Sequence, residues 1–93
     1  MATQRRYSVA EDSLVKILAD LELIVVSLDR IGASTDDDSE GRMRAAEFLK
    51  GENVFRRLAH ARRALSDVFD AEASPETVRK LESRLARLKY WKP

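Results

Sequence analysis

Between residues 14 and 31 the chain places Leu14, Ile17, Leu18, Leu21, Ile24, Val25, Leu28 and Ile31 at every step of an i, i+3, i+4, i+7 ladder. That spacing gathers all eight on one side of an α-helix and matches no strand period. Ser8 followed by Glu11 predicts a capping box at the start, and Gly32 a stop at the end. A helix is therefore expected over residues 9–31, roughly 35 Å long at about 1.5 Å per residue. The same segment carries Val15, Ala19, Leu23 and Val26 on a neighbouring face. A helix apolar nearly all round is buried on more than one side. Either other helices of the same chain cover this second stripe, or a second copy or partner protein does.

Residues 33–40 are polar, with aspartates at 36, 37 and 38, and read as an acidic loop over 32–39. Asp38 or Ser39 is expected to cap the helix that follows. Helical spacing resumes with Met43, Ala46 and Leu49, then changes phase to Val54, Phe55, Leu58, Ala61, Leu65, Val68 and Phe69. Gly51 and Asn53 sit at the join as a stop and a possible new N-cap. Residues 40–71 are therefore one kinked helix or two helices, 40–50 and 54–71, with the phase change favouring a break. Ser74-Pro75-Glu76 opens a last helix, with serine at the cap and proline in its first turn. Its seam is Val78, Leu81, Leu85 and Leu88, ending near Trp91. The expected fold is all-α: one domain over 1–93, a small antiparallel bundle of three long helical segments, the middle one kinked or broken near Gly51. Residues 1–7 are expected to form a flexible arm.

Composition narrows the chemistry. With no cysteine and one histidine, thiolate metal sites, disulfides and most nucleophilic mechanisms are excluded. His60 falls on a helical face with Arg56, Arg63 and Asp67, away from Leu58 and Leu65, and reads as a surface residue. The longest run of large apolar residues is 23–26, far short of the ~20 that a membrane span needs. Arg5 and Arg6 are not followed by the apolar stretch of a secretory signal. Arginine outnumbers lysine 12 to 5, a bias typical of GC-rich bacterial coding, and a cytoplasmic protein is expected.

Two local patterns test further chemistry. Residues 36–47 fit D-x-D-x-E-G-x5-E, which resembles an EF-hand calcium loop with Gly41 at the turn and Glu47 closing the site. Against it stand Glu40 at a position that takes a shorter side chain, and Arg42 and Arg44 within the loop. A loop ending in a helix cap explains the same residues, and no metal or cofactor is assigned. Around Gly51, the helix-turn-helix pattern asks for a small residue four before the glycine and apolar residues three and six after it. The chain supplies Glu47, Val54 and Arg57, so one position of three fits.

Charge is segregated: residues 1–41 carry 4 basic and 9 acidic groups, residues 42–93 carry 13 and 7. Lys80, Arg84, Arg87 and Trp91 recur at helical spacing as a basic stripe ending in an aromatic. The expectation is a non-enzymatic helical interaction module that self-associates and regulates or scaffolds a macromolecular partner. Its interface candidates are Val15, Ala19, Leu23, Val26, Lys80, Arg84, Arg87 and Trp91, facing a second copy (a homodimer) or an acidic protein surface. The alternative is a nucleic-acid-associated protein using Arg56, Arg57, Arg63, Lys80, Arg84 and Arg87. No membrane contact and no small-molecule substrate are read from the sequence.

Overall fold

The computed structural model describes residues 5–33 and 37–93, and these are helical with no strand among them. Four helices follow one another: α1 (Glu11–Ala33), α2 (Asp38–Gly51), α3 (Val54–Glu72) and α4 (Pro75–Ala86). The three expected segments are thus four helices, because residues 40–71 divide completely into α2 and α3. The division is a backbone event at Asn53, whose φ of 52° lies in the left-handed region that asparagine tolerates. Asn53 makes no side-chain cap. Instead Arg57 Nε donates to the Glu52 carbonyl across the break.

The helix ends differ in detail from the sequence expectation. Helix α1 opens with the Leu14 amide donating to the Ala10 carbonyl, and Ser8 stands outside it with its amide directed to Glu72. The Ser8–Glu11 capping box is therefore not formed. Gly32 does not stop α1, which runs on to Ala33. Asp37, rather than Asp38 or Ser39, caps α2 by accepting from the Ser39 and Glu40 amides. Residues 38–47 are wound into α2, so the calcium-loop pattern is helix here, with Gly41 in its first turns. Its first aspartate, Asp36, lies outside the described residues. The last helix starts as expected, with Ser74 Oγ accepting from the Thr77 amide and Pro75 in the first turn.

Helices α1, α2 and α3 pack against one another pairwise and make the main helix contacts of the chain, while α4 is half-buried at Thr77 and Val78 and exposed from Arg79 onward. The contacts fix the direction of α3. Tyr7 stacks on Phe69 with ring centroids 6.0 Å apart, Ser8 meets Glu72, and Asp20 meets Arg57. Numbers rise along α1 as they fall along α3, so the pair is antiparallel.

The core between these helices is small. Among the described residues, Ile17, Ile24, Val54 and Ala61 are the buried apolar side chains, and sixteen large hydrophobic residues are exposed. The chain's accessible surface is 8441 Å², whereas a compact monomer of its mass exposes about 5,500 Å². Its radius of gyration is 17.2 Å, against about 12 Å for a compact chain of this length. The single chain is extended and rich in exposed surface.

Candidate functional site

The closed side of α1 is built on Ile17, Asp20 and Ile24, spaced so that all three fall on one helical face, and all three are buried. Asp20 is only 5% exposed. A carboxylate there would be costly alone, but Arg57 Nη1 lies 2.6 Å from one oxygen and Lys16 Nζ lies 3.3 Å from the other. The Arg57 guanidinium chiefly holds the Asp20 carboxyl below its ordinary value, with Lys16 helping and burial opposing. Arg57 is held in turn by the Glu52 carbonyl and, more distantly at 3.9 Å, by the Glu52 carboxylate. This pair pins the register of α3 on α1. The sequence carried a sign of it: a lone aspartate between two isoleucines on one helical face.

The open side of α1 is a seam of Leu14, Leu18, Leu21, Val25 and Leu28, spaced four, three, four and three. All five are exposed, Leu18 at 56% and Val25 at 63%. The spacing is a coiled-coil heptad in which Leu14, Leu21 and Leu28 fall on one row and Leu18 and Val25 on the other. Leu58 and Leu65 of α3 neighbour Val54 and Ala61 on the same side, because antiparallel helices turn matching edges to one face. Asp20 and Arg57 close the opposite edge. The α1–α3 pair therefore presents a leucine-lined groove, with Phe55, 82% exposed, on the outer flank of α3.

The unpartnered face differs from the one expected. Leu23 and Val26 are half-buried on the packed side of α1, while Val15 and Ala19 are exposed. The open face is drawn instead from the main ladder, which divides into a closed row of isoleucines and an open row of leucines. Helix α2 repeats the pattern: Gly41, Ala45 and Phe48 are turned inward, and Met43, Ala46 and Leu49 are exposed.

The basic residues fall in separate places. Arg56 and Arg57 line an open cleft of about 370 Å³ with Lys16, Asn53 and His60. Arg63 is exposed on α3. Arg84 and Arg87 meet Leu88 around a hollow of about 310 Å³ at the end of α4. Arg57 is committed to Asp20, so the basic set of α3 offers a polyanion fewer groups than its sequence suggests. Lys80 is exposed beside them, but α4 ends at Ala86, so Trp91 stands beyond the helix and does not continue the stripe. It is 85% exposed, and Tyr90 is 74% exposed.

A larger open cleft of about 520 Å³ lies where α1 meets α2, lined by Leu28, Ile31, Gly32, Asp37, Asp38, Gly41, Arg42 and Ala45. No group of three or more metal-ligating side chains occurs among the described residues. No described helix is long and apolar enough to cross a membrane. What the geometry of the described residues defines is an all-helical, open-faced bundle. No protein-family model matches the chain, and no match to it is found among curated proteins or solved structures.

Proposed function

We propose that the chain is a self-associating, non-enzymatic helical module, completed by a second copy and serving to regulate or scaffold a macromolecular partner. One observation carries this reading: a folded chain of this mass exposes roughly 3,000 Å² more surface than a compact monomer would, and leucines in heptad spacing line part of it. Obligate homodimers bury about 2,000–5,000 Å² in total, so the surplus is ample for one side of such an interface. Soluble monomers rarely expose contiguous apolar patches of more than a few hundred Å². A second copy is the occupant that the same sequence always supplies.

Light scattering across concentration tests the reading. The expected mass is twice the 10.6 kDa chain at micromolar concentration. A single-chain mass persisting at high concentration overturns it. Tight DNA or RNA binding that falls steeply with added salt would favour a nucleic-acid role instead.

A further inference from the structure

Resting on the self-association just proposed, we infer that α4 is an exchanged arm: in the dimer, α4 of each chain lies in the α1–α3 groove of the other. Three observations converge on this occupant. The first is that α4 is thinly supported by its own chain, half-buried only at Thr77 and Val78. Its Val78, Leu81 and Leu85 are spaced three and four, matching the seam on α1, Leu88 follows just past its last turn, and the three leucines are exposed. A twelve-residue helix is marginal in water by itself, and the exposed Leu81, Leu85 and Leu88 call for more cover than their own chain provides.

The second observation is the hinge. Only Ala73 and Ser74 separate α3 from α4, and both are extended. The Ala73 amide is tied back to the Phe69 carbonyl, Ser74 caps α4, and Pro75 fixes the first turn. A short capped hinge of this kind directs α4 off its own bundle and favours exchange between copies.

The third observation is charge. Helix α1 carries five acidic and two basic residues, and one of its acids, Asp20, is already paired within the chain. Glu22 and Asp29, each one residue after a seam leucine, flank the open seam and form no ion pair among the described residues. From residue 75 onward the chain carries six basic and two acidic residues. Packing α1 on a second α1 would set Glu22 and Asp29 near their own copies, whereas α4 brings Arg84 and Arg87 to them. Tyr90 and Trp91 follow directly and supply the aromatic anchors that interfaces favour.

Complementary charge reversal in the full-length chain tests the exchange. One variant carries Glu22→Arg with Asp29→Arg, the other Arg84→Glu with Arg87→Glu; all four positions are exposed. In an exchanged dimer each variant alone sets like charges together, and an equal mixture restores both contacts. Each variant alone should dimerise at least roughly tenfold more weakly than wild type, and the mixture should recover wild-type affinity. Trp91, the sole tryptophan, reports independently: its emission should shift blue in wild type and in the mixture, and red in either variant alone. Variants that dimerise like wild type, or weakened variants whose mixture gains nothing, overturn the exchange while leaving self-association standing. A wild-type chain that stays monomeric overturns the proposed self-association itself.

Discussion

Helices α1 and α4 are built on the same leucine spacing, yet the structure treats them differently. Helix α1 has two apolar rows, and one is closed over by α2 and α3. Helix α4 has a single row, half-buried at Val78 and exposed at Leu81 and Leu85. The difference lies in what accompanies the leucines. On α1 the isoleucines at 17 and 24 straddle Asp20, and the ion pair to Arg57 gives that row a defined partner. Nothing on α4 has an equivalent internal counterpart, because its cationic residues have no carboxylate of the chain within salt-bridge distance among the described residues. Apolar periodicity marks a face for burial, and the polar residues beside it select the surface that buries it.

Breaking the closed row should have the largest effect. Ile17, 3% exposed, packs in a core too small to absorb a void, so Ile17→Ala should cost about 2–5 kcal/mol in denaturant unfolding. Breaking the open row should act on association instead. Val25→Glu should weaken dimerisation by roughly a hundredfold or more, since a carboxylate would be buried unpaired, while helix content in circular dichroism stays near wild type. Equal unfolding by both substitutions would erase the distinction between the rows.

The ion pair sharpens the comparison through pH. The Asp20 carboxyl is held below its ordinary value in the fold, chiefly by Arg57. Its contribution is therefore fully present above the unfolded value of about 3.9, and is lost as pH falls through the lower folded value. Denaturant midpoints measured from pH 7 to pH 2 should show this acid loss in wild type. The loss should be reduced in Asp20→Asn, which is less stable at pH 7. A wild-type and Asp20→Asn pair with parallel profiles would deny the pair that role. The smallest effect is expected at the α2–α3 break. Asn53→Ala should cost about 1 kcal/mol, because alanine resists the left-handed conformation, whereas Asn53→Gly should be close to neutral.

Much of the helical pattern was legible from residues. The phase change between Leu49 and Val54 marked the α2–α3 division, and Ser74-Pro75 marked the start of α4. The cap at Ser8 was not legible, because Glu72, sixty-four residues away, takes the amide that a local box would use. Nor was the open face. The eight-residue ladder is wider than one packed face, and periodicity alone does not say which half neighbouring helices cover. Asp20 held that information: unlike Glu22, it shares the helical face of Ile17 and Ile24, and it marks the covered side. The basic stripe was read too far, since Trp91 continues the helical spacing of Arg84 and Arg87 but lies past the last turn of α4.

Small-angle X-ray scattering of the wild-type chain at micromolar concentration bears most directly on whether the leucine groove is completed by a second copy. The expected result is a particle of twice the 10.6 kDa chain mass, persisting on dilution until Trp91 emission shifts red. A stable 10.6 kDa particle with a radius of gyration near the 17.2 Å of the single chain, unchanged at any concentration, would contradict it.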